Sequence, residues 1–152
     1  MLLSKTTEYA LRAIVYIALN DAQGLKVGIK DIAKELELPA HFMGKILQDL
    51  ARKGVISSVK GPGGGFFLHR SAGEISILEV VRTIDGLEAF RKCGMGMKQC
   101  SDTHPCPLHD DIKAYREQML KVFSSKTIQT LVDGINSGEY FITNIHEVEN
   151  PN

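Results

Sequence analysis

Apolar residues recur at helical spacing through the first third of the chain. Residues 6–20 carry an apolar position every three or four residues, which predicts an amphipathic first helix. A short helix is predicted over residues 29–36, before Pro39 breaks the pattern, and a third helix over residues 40–53. Two short helices separated by a tight turn indicate a helix-turn-helix. The expected buried face of the third helix is Phe42, Ile46, Leu47 and Leu50.

The pattern then changes from helical to strand-like. Residues 55–59 and 66–68 are predicted to be strands, joined by the glycine-rich stretch KGPGGG at residues 60–65. A hairpin that directly follows a helix-turn-helix is the wing of a winged helix-turn-helix. Ser76, with Glu79 three residues later, indicates a capping box that opens a fourth helix.

The second half of the chain predicts a long helix with a heptad repeat. Pro107 suits the first position of this helix, and the apolar residues that follow are spaced by four, three, four and three. This seam suits pairing with the same helix of a second subunit. A last helix is predicted over residues 127–136. The seam residues are Leu108, Ile112, Tyr115, Met119 and Val122.

Together these elements predict a mainly α fold with a small β wing: a winged helix-turn-helix followed by a long dimerisation helix. We expect residues 1–86 to form the winged helix-turn-helix region and residues 87–107 a cysteine-rich loop. Residues 108–138 would supply the dimerisation and C-terminal helices, and residues 139–152 a loose tail.

Composition and charge narrow the class of protein. The chain has 152 residues and is 43% hydrophobic, which is enough for a globular domain with a core. It shows neither a signal-peptide pattern nor an apolar run of transmembrane length, so we expect a cytoplasmic protein without a membrane partner. The net charge is zero, but residues 1–70 carry ten Lys or Arg against six Asp or Glu, and residues 71–152 carry eight against twelve. A basic front half is typical of a protein that binds a polyanion.

The third helix and the wing contain the candidate residues for binding double-stranded DNA. In a helix-turn-helix the N-terminal part of the second helix faces the base edges of the major groove. A polar outer face is also typical of any solvated helix, so the basic residues near the wing matter to this interpretation. The glycine-rich tip lacks the Lys and Ser or Thr of a phosphate-binding loop, and no helix follows it. The candidates are His41, Gly44, Lys45, Gln48, Arg52, Lys53, Lys60, Gly63 and Gly64.

All three cysteines of the chain lie within one fourteen-residue stretch, CGMGMKQCSDTHPC. Cys93, Cys100 and Cys106 are followed by His109, giving the spacing C-x6-C-x5-C-x2-H. Three thiols and an imidazole in a glycine-containing loop favour an iron-sulfur cluster or a metal ion. A structural zinc site is the weaker alternative because the usual C-x2-4-C knuckle is missing, and inert buried cysteines are a poor fit because polar loop residues surround them.

The motifs together resemble the Rrf2 family of dimeric winged-helix transcription regulators, and within it the iron-sulfur branches IscR and NsrR. The resemblance rests on LLSKTTEYALRAIVYIAL, DIAKEL, VISSVKGPGGGFFL and EISILEVVRTIDG, and on the three cysteines before the long helix. It implies a homodimer that binds a palindromic operator under the control of a cluster. It further implies that Lys60 takes the place of a wing arginine that enters the minor groove. Gly44 departs from the IscR pattern, which has a glutamate there.

The resemblance implies Cys93, Cys100 and Cys106 as cluster ligands and leaves two candidates for the fourth. His109 matches the two-iron branch, whereas Glu8 matches a residue that the partner subunit supplies to a four-iron cluster. His109 and a [2Fe-2S] cluster are favoured because His109 is close to Cys106 in sequence.

The function expected from this resemblance is a cytoplasmic regulator whose operator binding responds to cluster status, redox state or nitric oxide. The alternative is a cluster-free regulator controlled by thiol oxidation or by a protein partner. An electron carrier would not need the wing and the basic front half. No nucleophile with an orienting partner appears outside the cysteine loop, so we do not expect an enzyme.

Overall fold

Six α-helices and one two-stranded antiparallel sheet make up the described part of the computed structural model, which covers residues 3–143. The predicted mainly α class with a small β wing is confirmed. Two short 3-10 helices, Ala72–Glu74 and Glu88–Phe90, flank the fourth helix. In chain order the main elements are α1 (Lys5–Asp21), α2 (Ile29–Glu35), α3 (Ala40–Arg52), β1 (Ser57–Val59), β2 (Gly65–Phe67), α4 (Ile77–Asp85), α5 (His109–Ser125) and α6 (Ile128–Asn136).

Helix α1 is the centre of the core. Ser4 is its N-cap, because the Ser4 hydroxyl accepts a hydrogen bond of 3.1 Å from the Thr7 amide. The helix packs against α3, α4 and α6. Ala10, Ala13, Ile14 and Ile17 along it are fully buried.

The turn between α2 and α3 presents α3 at the surface. Glu37 in this turn has φ 54°, a left-handed conformation that ends α2 sharply, and Pro39 precedes α3. The predicted inner face of α3 was wrong at one position: Phe42 is 54% exposed and Met43 is fully buried instead. Positions 43, 46, 47 and 50 form one continuous helical stripe, and Phe42 lies about 40° beyond its edge, about 100° from Met43.

The wing is anchored to the chain segment before α2. Ser58 pairs with Phe66 across the hairpin. Val27 bridges to Phe66 with two backbone hydrogen bonds of 3.1 and 2.7 Å. A Cβ on Gly65 would lie 2.8 Å from the Val27 carbonyl oxygen, so this close approach requires glycine.

Two predicted helix starts differ in detail from the structure. Ser76 caps α4 by accepting a hydrogen bond of 3.1 Å from the Glu79 amide, but the Glu79 side chain pairs with Arg70 rather than completing a capping box. Helix α5 begins at His109 rather than Pro107, because the His109 amide donates to the Cys106 carbonyl and closes a turn first.

The C-terminal segment folds back at least as far as the structure describes it. The Tyr140 amide donates to the Gly134 carbonyl at 3.1 Å, and the Arg12 Nε donates to the Ile142 carbonyl at 3.0 Å. The rest of the predicted loose tail, residues 144–152, lies outside the described residues. Across residues 3–143 the structure contains no helix with the length and apolar character needed to span a bilayer.

Candidate functional site

The outer face of α3 displays three of the predicted DNA-binding side chains. His41, Lys45 and Gln48 are all exposed, opposite the buried stripe. Gly44 is partly covered, and a Cβ placed on it would lie 3.6 Å from the Ile29 Cδ1 atom, an ordinary contact. The N-terminal end of this face is therefore open enough to enter a groove of DNA.

Phe42 joins this surface and was missed from sequence. Its ring meets His41 edge to face, with centroids 5.4 Å apart. The sequence pattern assigned Phe42 to the core because it lies four residues before Ile46 and eight before Leu50, which is helical spacing.

The basic residues at the end of α3 are largely engaged within the chain. Asp49 forms ion pairs with Arg52 and with Lys53, the latter at 3.0 Å, and Lys53 also donates to the Thr83 carbonyl at 3.0 Å. The hydrogen bond from Lys53 is the main cause that lowers the pKa of Asp49. Lys53 therefore holds α3 against α4, whereas Lys60 lies exposed at the end of β1.

The two glycines predicted at the wing tip differ in their surroundings. Gly63 is exposed and has φ 73°. A Cβ on Gly64 would lie 2.1 Å from the Val59 carbonyl oxygen, so any side chain there would force the backbone of the tip to move. Between Gly61 and Gly65 the tip carries no side chain other than the ring of Pro62, which suits entry into a narrow groove of DNA.

Backbone amides of the cysteine loop surround the Cys93 thiol. Cys93 is buried, and hydrogen bonds from the Met95 and Met97 amides lower its pKa, outweighing the opposite effect of burial. The Cys106 thiol and the Gly96 amide contribute in the same direction. Cys93 and Cys106 therefore lie close together, and all three cysteines are free thiols.

The third thiol, Cys100, belongs to a polar chain that includes His109. The Cys100 Sγ and His109 Nδ1 atoms are 3.4 Å apart, and the His109 Nε2 atom lies 2.9 Å from Asp102 Oδ1. Lys113 completes the chain with a contact of 2.9 Å to the same carboxylate oxygen. Lys113, followed by His109, is the cause that lowers the pKa of Asp102. His109 is buried, so these contacts fix its ring.

Arg116 on α5 reaches the same thiol from the other side. One terminal nitrogen donates to Cys100 Sγ at 3.1 Å, and the other donates to the Lys92 carbonyl at 2.6 Å. The Arg116 Nε atom is buried and has no hydrogen-bond partner within the described residues. Cys100, His109 and Arg116 line a cavity of about 330 Å³.

The structure brings the predicted ligands together in two groups. Cys93 lies with Cys106, and Cys100 with His109, but within residues 3–143 no three Cys, His, Asp or Glu side chains converge as a ready site for a metal ion. The alternative ligand Glu8 lies in the first turn of α1 and pairs with Lys5 at 3.2 Å. The donor set nevertheless fits an iron-sulfur cluster, because it offers three thiols, an imidazole and amides already directed at a sulfur atom.

Comparison with known proteins identifies the family. Residues 3–134 match the Rrf2 family, described as iron-dependent transcriptional regulator. The chain belongs to the Rrf2 family. The transcriptional regulator IscR of Xenorhabdus nematophila is 29% identical over 132 residues, which cover 87% of this chain and 79% of IscR. The resemblance inferred from sequence is therefore confirmed.

Solved structures of Rrf2 regulators share the fold. IscR of T. potens superposes with a TM-score of 0.71 at 17% identity, covering 91% of each chain. The global cysteine regulator CymR of B. subtilis superposes with a TM-score of 0.71 at 18% identity, covering 86% of this chain and 95% of CymR. Rrf2 proteins are transcription regulators, which are not enzymes, and membership implies that this chain binds DNA.

Proposed function

We propose that this chain is a homodimeric, cytoplasmic regulator whose binding to a palindromic operator is controlled by an iron-sulfur cluster. Cys93, Cys100 and Cys106 would hold the cluster, with His109 as fourth ligand and [2Fe-2S] as the favoured type. The observation that carries the proposal is the His109–Cys100 contact of 3.4 Å at the start of α5, beside a loop that contributes the other two thiols. The bound cluster would supply a centre that responds to redox state, nitric oxide or cluster supply.

The cysteine loop is mechanically connected to α5. A Cβ on Gly94 would lie 2.7 Å from Ile112 Cγ1, so the loop backbone rests directly on that helix. Arg116 adds a second connection through the Lys92 carbonyl. Two exposed apolar residues, Leu108 directly before α5 and Tyr115 on it, are available for pairing with a second subunit. A rearrangement of the loop would therefore change the spacing of the two α3 helices on DNA.

His109 is favoured over Glu8 as fourth ligand because of its surroundings. His109 already contacts Cys100, and Asp102 bonds its other ring nitrogen, the usual support for a ligating histidine. Glu8 pairs with the neighbouring Lys5 on α1. A cluster whose spectrum changes in Glu8→Ala and not in His109→Ala would reverse this assignment.

Anaerobic purification with iron and sulfide analysis tests the proposal. The wild-type protein should be coloured and contain acid-labile sulfide, and Cys93→Ala, Cys100→Ala and Cys106→Ala should each abolish both. Selection of DNA with the cluster-bound and cluster-free forms should then give operators with two-fold symmetry and different affinities for the two forms. A colourless wild-type protein that contains zinc without sulfide would contradict the cluster.

A cluster-free thiol switch is the second candidate, favoured by the neighbouring Cys106 thiol, which helps to lower the pKa of Cys93. Hydrogen peroxide would oxidise the two thiols to a disulfide and be reduced to two water molecules. This mechanism requires neither iron nor sulfide and loses its response in Cys106→Ser, while Cys100→Ser retains it. Mass spectrometry of the oxidised protein distinguishes the two mechanisms.

A further inference from the structure

We infer that Arg116 is a positioning residue that donates hydrogen bonds to the sulfur of the bound cluster and thereby sets its reduction potential. The inference rests on the proposed function. It assigns a role to a side chain on the pairing helix that is neither a thiol nor a ligand. The Arg116 guanidinium donates to Cys100 Sγ at 3.1 Å and to the Lys92 carbonyl at 2.6 Å.

The two contacts of Arg116 span the first half of the cysteine loop. Lys92 directly precedes Cys93, so one guanidinium holds the backbone beside the first thiol and the sulfur of the second. The planar fork of arginine makes two such bonds at once, which the single ammonium group of lysine does not reproduce at both distances. Arg116 therefore sets the separation of two proposed ligands from a point on α5.

The third nitrogen of the guanidinium is the observation that points to a bound acceptor. Arg116 Nε is buried, and within the described part of the chain it has no hydrogen-bond partner. A buried donor without an acceptor carries a desolvation penalty, which an acceptor bound at this position would remove. The same side chain lines the cavity of about 330 Å³ beside Cys100 and His109. Sulfide or thiolate sulfur of a cluster would supply the acceptor.

A positively charged donor beside cluster sulfur stabilises the reduced form, which carries one more negative charge. Removing the donor should therefore lower the midpoint potential. The same loss of charge at an exposed position of α5 should have little effect, because solvent screens it. Lys121 provides this control because it is exposed on α5, five residues beyond Arg116.

The experiment is a spectroscopic redox titration of the anaerobically purified protein and three variants. Arg116→Met should lower the ratio of reduced to oxidised cluster about tenfold at a fixed potential, which corresponds to about 59 mV for one electron. Arg116→Lys should fall between wild type and Arg116→Met, and it remains informative if Arg116→Met does not fold. Lys121→Met should titrate like wild type. Hydrogen exchange of residues 92–100 in the cluster-free protein reports the structural contribution separately.

Three outcomes are distinguishable. A wild-type midpoint in both Arg116 variants, with faster hydrogen exchange in the loop, would show that Arg116 only braces the backbone and would overturn the inference. An unchanged midpoint with unchanged exchange would overturn it as well. Wild-type protein without iron and sulfide would overturn the proposed function itself, and this inference with it.

Discussion

At the scale of single residues, the structure separates charged side chains that are available from those that are already engaged. Arg52, Lys53 and Lys60 are all exposed, but Arg52 and Lys53 pair with Asp49, and Lys53 also donates to the Thr83 carbonyl. Residues of the same type and similar position in the sequence are therefore expected to have different roles in DNA binding. Lys53 and Phe42 are the two positions where the sequence-based interpretation changes most.

Lys60→Ala should weaken binding to the operator and reduce the salt dependence, because each lost phosphate contact lowers the slope of log K against log salt by about 0.9. Relaxed preference at an A·T-rich step is the expected result if Lys60 enters the minor groove. Titration at several salt concentrations measures the slope. Equal slopes for wild type and Lys60→Ala would show that Lys60 makes no phosphate contact.

Lys53→Met should instead lower the stability of the protein, because it removes the hydrogen bond to the Thr83 carbonyl.

Phe42→Ala should lose affinity at operator positions that carry thymine, because an exposed aromatic ring on α3 suits the thymine methyl group. The loss should be about 1 kcal/mol, or about fivefold in affinity. Replacing thymine with uracil in the operator removes only the methyl group and should weaken the wild type by the same factor. Phe42→Ala should be insensitive to that replacement. A variant that loses affinity equally for both duplexes would exclude the methyl contact.

At the scale of elements, the space around the backbone distinguishes two glycines that appear equivalent in the sequence. Gly44 sits in the helical backbone of α3 with room for a side chain, whereas Gly64 is pressed against backbone oxygens in the wing. Both were predicted to be DNA-binding residues. Their structural roles are opposite, and the same substitution at each position should reveal this.

Gly44→Ala should raise the free energy of unfolding by about 0.5–1 kcal/mol, because alanine loses less backbone entropy than glycine in a helix. Gly64→Ala should lower it, since the added Cβ would lie 2.1 Å from the Val59 carbonyl oxygen. Urea unfolding followed by circular dichroism at one protein concentration measures both. A destabilised Gly44→Ala protein would show that α3 tolerates no side chain there.

At the scale of the whole molecule, distant parts of the chain meet at a few defined contacts. The Ser4 amide donates to Asp85 Oδ2 at 3.1 Å, joining the start of α1 to the end of α4. Helix α5 packs against α4 and leaves part of its own apolar surface exposed. The stability of the fold therefore depends on contacts between residues far apart in sequence.

Leu108→Asp combined with Tyr115→Asp should convert the proposed dimer into monomers, because both side chains are exposed, Leu108 directly before α5 and Tyr115 on it. They are better positions for this test than Ile112, which also contacts the cysteine loop at Gly94. Lys121→Asp on the same helix is the charge control. Light scattering measures the mass. Dimers that survive the double substitution would place the interface elsewhere.

Asp85 should make the protein more stable above about pH 4 than below it. Burial raises the pKa of Asp85, but hydrogen bonds from Ser4 and Thr7 outweigh burial and hold the pKa below the ordinary 3.8. The folded state therefore binds fewer protons than the unfolded state in this range, and the contribution is lost as pH falls through the folded pKa. Asp85→Asn should be less stable than wild type at pH 7, with the difference shrinking below pH 3.8. A difference that is independent of pH would contradict this role.

The helices, the wing, the cysteine loop and the family resemblance were predictable because each depends on local order along the chain. Helical spacing, a glycine-rich tip and clustered thiols can each be recognised within a short stretch of the sequence. Helix ends were less accurate: α5 starts after a turn closed by the His109 amide, and Glu79 bonds Arg70 instead of its own N-cap. Those bonds depend on partners that periodicity does not contain.

The sequence by itself therefore determined which segments are helical, where the wing lies and which side chains are available as ligands, since backbone propensity and side-chain chemistry are local properties. Only the tertiary structure decided that Phe42 is exposed, that Lys53 is tied to Thr83, and that Arg116 reaches Cys100. The physical reason is that exposure and hydrogen-bond partners depend on how helices are rotated against one another. A rotation of one residue step exchanges a core position for a surface position.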